Sequence, residues 1–124
     1  MDFKLRIRTA ETPQGQQLAI VPLEGRFDAK VASEVRQLLQ QVLDFGYHNL
    51  LIDMSAVTFM DSSGLGVLIS ALRKCRTAGG NLSLCCVPES VALVLSLTSM
   101  EKVLTCFDDL ETAIANFSTA SSAR

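Results

Sequence analysis

The 124-residue chain is 48% hydrophobic and 19% charged, with a net charge of -2. That balance supports one well-buried domain and excludes a disordered chain; the charge gives no general attraction to nucleic acid or to an anionic membrane. No apolar run approaches the roughly 20 residues a bilayer span needs, and the start of the chain lacks a signal peptide's apolar stretch, so a cytoplasmic protein is expected.

Phe3, Leu5 and Ile7 alternate with Lys4, Arg6 and Arg8, the period of a half-exposed strand. Pro13-Gln14-Gly15 supplies a turn, and Leu18 to Leu23 reads as a more buried second strand, with Pro22 pointing to an edge or a strand end. These two strands are expected to form a hairpin. Gly25-Arg26-Phe27-Asp28 leads into a helix whose apolar stripe is Val31, Val35, Leu38, Leu39 and Val42. Asp28 is placed to cap it, and Gly46 to stop it.

A central strand follows over about His48 to Met54, then a loop over Ser55 to Thr58. Ser62 to Thr77 reads as the second helix, with Leu65, Leu68, Ile69, Leu72 and Cys75 on one face, and Ala78-Gly79-Gly80 ending it. Asn81 to Val87 is a buried strand. Ser90 to Thr98 is a largely apolar helix expected to be packed on most sides. Val103 to Phe107 is a short strand. A last helix opens at Asp108 or Asp109 and gathers Leu110, Ala113, Ile114 and Phe117; the tail, 118–124, is expected to fray. This alternation predicts an α/β fold: a mixed, mainly parallel sheet of about four to five strands covered by about four helices, in one domain over 1–117.

The four cysteines, Cys75, Cys85, Cys86 and Cys106, form no C-x-x-C pair and read as small core hydrophobes. On a strand, Cys85 and Cys86 would face opposite sides of the sheet. No cofactor or metal is called for.

The chemistry concentrates in Phe59-Met60-Asp61-Ser62-Ser63-Gly64-Leu65-Gly66, where a strand end feeds a helix start. A helix N-terminus presents unpaired N–H groups and a partial positive charge. Ser63 sits there as a candidate site of modification; Asp61 and Ser62 are the candidates for the cap. A serine nucleophile would need a base in reach. The one histidine, His48, lies at the far end of the strand leading to Ser63, so catalysis is not expected. Asp53 reads as a loop-bracing acceptor or as part of the site, bracing being preferred.

The run Leu51 to Gly66, with its Asp61-Ser62-Ser63-Gly64 core, resembles the signature of STAS domains, and within them the bacterial anti-sigma factor antagonists. Leu23-Glu24-Gly25-Arg26-Phe27-Asp28, Gly79-Gly80-Asn81-Leu82 and Leu97 to Val103 extend the resemblance over residues 3–117, although the glycine usual near Ser99 is absent. The resemblance implies the STAS fold and a regulator without catalytic activity. Its unmodified form would bind an anti-sigma factor that is also a serine kinase, freeing a sigma factor. Phosphorylation of the second serine, Ser63 by position, would end binding, and a serine phosphatase would restore it. Asp28 matches an acidic residue of the partner-facing surface; cap alone and cap plus partner contact both stay open. The implied partner surface is Asp28, Asp61, Ser62, Ser63, Gly64 and Leu65, on a monomer or weak dimer with no direct contact to nucleic acid or membrane. The alternative implied by the fold is a scaffold subunit of a stress-signalling complex, or the small cytoplasmic partner of a lipid transporter.

Overall fold

The computed structural model describes residues 7–118. Five strands lie in the order β1 (Arg8–Glu11), β2 (Gln17–Phe27), β3 (Asn49–Met60), β4 (Asn81–Cys85) and β5 (Thr105–Phe107). β1 runs antiparallel to β2 and every other neighbouring pair is parallel, so the sheet is mixed and mainly parallel. The helices are α1 (Ala29–Asp44), α2 (Ser62–Thr77), α3 (Glu89–Leu97) and α4 (Leu110–Asn116), with one 3-10 turn at Met100–Lys102. No described helix is long and apolar enough to cross a membrane.

Alternation along the strands divides the core. Ala19, Val21 and Leu23 of β2 and Leu50, Ile52 and Met54 of β3 face a large cluster built with α1, α2 and α3. Leu18, Ile20 and Leu51 face the other way, onto Ala113 and Phe117 at the α4 end of the chain. Thus three helices cover one face and one covers the other.

The hairpin turn forms as the sequence implies: Gly15 takes φ +85° and its N–H donates to Thr12 O at 2.8 Å. The first described strand is Arg8–Glu11; Phe3 and Leu5, part of the strand expected from the alternation, lie outside the described residues. Of the tail expected to fray, only Ser118 is described, and its carbonyl accepts from Asn81 Nδ2 at 2.7 Å. α1 ends as expected at Gly46, φ +108°, where Gly46 N–H reaches Leu43 O and Tyr47 N–H reaches Val42 O, the paired bonds of a Schellman stop.

Two expectations fail for one reason. Pro22 does not mark a strand end, and Ser55 to Thr58 is not a loop: β2 continues to Phe27 and β3 to Met60, with Pro22 beyond the stretch of β2 that pairs with β1 among the described residues. The β2–β3 register shifts between Pro22 and Glu24 and again between Gly25 and Arg26. Bulges absorb a proline and a positive-φ Gly25 inside a continuous parallel pair. They also break the period of two, leaving Met54, Val57 and Met60 buried at a spacing that does not read as a strand.

A third expectation, that α3 is packed on most sides, also fails. Only Val91 and Leu95 are buried, whereas Leu93 is 58% and Leu97 76% exposed. After α3, Ser99 stands in the left-handed region at φ 60° and ψ 20°, in the αL position of a helix stop. This is where the resemblance expects glycine. The αL conformation costs a non-glycine residue about 1–2 kcal/mol, and glycine's extra chain entropy returns about 0.5–1. Ser99→Gly is therefore expected to stabilise the fold by about 0.5–1 kcal/mol, read as a higher urea midpoint. An unchanged or lower midpoint would refute the strain.

Candidate functional site

The site begins where β2 and β3 end. Phe27 and Met60 are register partners, so the residues after them, Asp28 and Asp61, leave the same sheet edge side by side. Asp61 N–H donates to Phe27 O at 3.4 Å and ties the two exits together. Each aspartate then takes extended backbone angles and caps a helix. Asp28 Oδ1 accepts from Lys30 N–H at 3.0 Å at the start of α1. Asp61 Oδ1 accepts from Ser63 N–H at 2.9 Å and Gly64 N–H at 3.2 Å at the start of α2. The cap of α2 is thus Asp61, and Ser62 is its first helical residue.

Gly64 explains how close α2 comes. A Cβ there would stand 2.5 Å from Phe27 O and 2.9 Å from Phe27 Cγ. The absence of a side chain lets the first turn of α2 lie on the end of β2. This holds Ser63 half-buried and Ser62 exposed. Gly64 and Leu65, placed in the partner surface by resemblance, are both buried beneath Ser62 and Ser63 instead of exposed. Leu65 also lines an open groove of about 620 Å³ running from Ser62 past Ile69 and Arg73 to Met100.

Sequence reading missed Arg26 and Phe59. They are register partners, and the Arg26 guanidinium lies 4.1 Å from the Phe59 ring centroid. Arg26 Nε also pairs with Asp28 Oδ2 at 3.4 Å, with Arg26 64% and Asp28 16% exposed. Only the shifted register brings residue 26 opposite residue 59, so no local pattern signals the pair. It alters the electrostatics expected of the site. Asp28 is partly offset by Arg26, and two of the first three N–H donors of α2, those of Ser63 and Gly64, are already taken by Asp61. A phosphate on Ser63 would meet this carboxylate instead of an empty helix terminus.

His48 immediately precedes β3, at the opposite end of that strand from Ser63. Its carbonyl accepts from Asn81 N–H at 3.2 Å, so its backbone helps enter β4. Asp53 is not at a strand end; it sits within β3, where Oδ1 accepts from Ser55 N–H at 3.0 Å in the bracing role. Of the cysteines, Cys75 and Cys85 are buried as expected, but Cys86 is half-buried and Cys106 exposed. Burial pushes the Cys75 thiol up to about 12, so it stays neutral in the core.

Comparison with known proteins agrees with this architecture. The STAS domain profile matches residues 9–113. A Thermotoga maritima protein provisionally designated an anti-sigma factor antagonist is 30% identical over 77 residues, 62% of this chain and 68% of that one. The anti-sigma F factor antagonist of Paenibacillus polymyxa is 25% identical over 103 residues, 82% of this chain and 88% of that one. Among solved structures, a Thermotoga maritima crystal structure with the same provisional designation superposes with a TM-score of 0.76 at 23% identity, covering 86% of this chain and 90% of that one. The Bacillus cell-fate determinant SpoIIAA in its phosphorylated form gives 0.62 at 15% identity, covering 86% and 95%. The chain is a member of the STAS domain family and falls with its anti-sigma factor antagonists.

Proposed function

We propose that this antagonist works by partner switching controlled at Ser63. The unmodified protein binds an anti-sigma factor that is also a serine kinase, and a sigma factor is released. The kinase phosphorylates Ser63, binding ends, and a serine phosphatase resets the protein in the cytoplasm. The observation that carries this reading is the Asp61 cap, which holds Ser63 half-buried on the first turn of α2, beside the Asp28 exit of β2. That a solved structural neighbour exists in a phosphorylated form supports it.

The mode of the switch follows from charge. A phosphate brings roughly -1.5 to -2 charges. The α2 dipole favours an anion, but the Asp61 carboxylate already holds the Ser63 and Gly64 donors, so the new charge stands beside that carboxylate at the surface. The fold survives; the docking face becomes bulkier and more negative, and acidic groups on a bound partner are repelled. The test is to mix the purified protein with the anti-sigma kinase from its own cells and to follow the complex by size exclusion before and after adding ATP. A complex that forms and then dissolves supports the reading. One that forms and persists after stoichiometric phosphorylation contradicts it.

Asp28 serves this surface as more than a cap. Asparagine caps a helix about as well as aspartate, and the exposed pair with Arg26 is worth under about 1 kcal/mol. Asp28→Asn should therefore shift thermal unfolding little while lowering kinase affinity or phosphorylation rate severalfold. Unchanged affinity and rate in the folded variant would leave Asp28 a cap only.

A further inference from the structure

On the face of the sheet away from α1, α2 and α3, Asp53, Cys85 and Cys86 converge. One carboxylate oxygen and two Sγ atoms lie within 4.8 Å of one another. The topology produces this in two steps. Asp53 and Cys85 are register partners on β3 and β4, so their side chains share a face. Cys86 would point to the other face if β4 continued. Instead the chain turns at Cys86 with φ 59°, and its N–H donates to Phe107 O at 3.0 Å. This turn returns the Cys86 thiol to the side of Cys85, reversing the expectation that the two cysteines face apart.

The cluster is part buried and part open. Cys85 is fully buried against Leu51 and the α4 residue Ala113, whereas Asp53 and Cys86 are half-buried and give access from solvent. Asp53 is held in place by the bond from Ser55 N–H. Burial first, then Cys86 and the carboxylates of Asp53 and Asp109, push the Cys85 thiol up.

We propose that Asp53, Cys85 and Cys86 form a binding site for a thiophilic divalent cation, Zn2+ by donor chemistry, with a fourth position open to water. Two sulfurs and one carboxylate oxygen are ordinary zinc ligands, at about 2.3 Å for sulfur and about 2.0–2.2 Å for oxygen. A tetrahedron with those bonds sets ligand atoms roughly 3.5–3.8 Å apart, so small side-chain rotations close the site. On binding, each thiol gives its proton to solvent and its sulfur lone pair to the metal: two protons are released per cation. The bound ion would fasten β3 to β4 beside the start of α4, on the opposite face from the helix α2 that carries Ser63.

The reduced full-length protein can be titrated with Cd2+, following the ultraviolet thiolate-to-metal charge-transfer band, with Zn2+ as competitor. The expected result is one Cd2+ per chain, displaced by Zn2+. Cys86→Ser and Asp53→Asn should each weaken binding tenfold or more while keeping a native circular dichroism spectrum. Cys106→Ser, at an exposed thiol outside the cluster, should bind as the unaltered protein does. No saturable band, binding that survives both Cys86→Ser and Asp53→Asn, or binding lost in Cys106→Ser would overturn the site.

Discussion

Gly64→Ala is expected to destabilise the protein by about 1–2 kcal/mol, whereas Gly66→Ala, two residues along the same helix, should stabilise it. The added methyl at Gly64 would press on Phe27 O at 2.5 Å, on Phe27 Cγ at 2.9 Å and on Met60 Cγ at 3.0 Å. Overpacking of this kind costs about 1–3 kcal/mol, occasionally more. A backbone oxygen is the worst neighbour to displace, because Phe27 O also accepts the Asp61 N–H that joins the two strand exits. Alanine's helix preference returns at most about 1 kcal/mol. At Gly66 nothing lies within 4 Å, so only the propensity gain remains. Urea denaturation of the pair isolates the contact, since helix propensity changes equally in both. Equal midpoints would mean that α2 does not bear on β2 where Ser63 is presented.

The second large effect is on binding. Ser63→Asp and Ser63→Glu should weaken the complex with the anti-sigma kinase at least tenfold, and Ser63→Ala should bind as the unaltered protein does. Ser63 contributes its backbone N–H to the Asp61 cap, and alanine retains that donor. The side chain is half-buried on the proposed docking surface, so an added carboxylate there stands beside Asp61 and would face the proposed partner. Isothermal calorimetry on folded variants decides the matter. Acidic variants that bind at full affinity would show that charge is not the signal.

Much of the fold can be read from the chain because its helix signals are local. Asp61 before an apolar helical period and Gly79-Gly80 after it bound α2, and the predicted Ser62–Thr77 is the observed span. Asp28 and Gly46 frame α1 in the same manner. What could not be read depends on partners distant in sequence. The last third of β3 exists because β2 pairs with it through two register shifts, and neither Ser55 nor Thr58 announces that. The Arg26–Phe59 contact follows from the same shifts. Cys86 escapes the alternation rule because β4 stops at Cys85. At α3, apolar composition predicts all-round packing, yet Leu93 and Leu97 face out. The site divides similarly: Asp61, Ser62 and Ser63 are contiguous and legible, while their juxtaposition with Asp28 arises from the Phe27–Met60 pairing.

Partner switching at this site depends on which hydroxyl is modified. Ser62 is exposed on the first turn of α2, Thr58 is exposed near the end of β3, and Ser63 is half-buried between the Asp61 cap and Gly64. A kinase choosing by exposure alone would take Ser62 or Thr58. The direct measurement is phosphorylation of the purified protein by its own anti-sigma kinase with ATP, followed by mass-spectrometric mapping of the phosphate. One phosphate per chain on Ser63, and none on a Ser63→Ala variant, is the predicted result. Phosphate on Ser62 or Thr58 with Ser63 unmodified would contradict it.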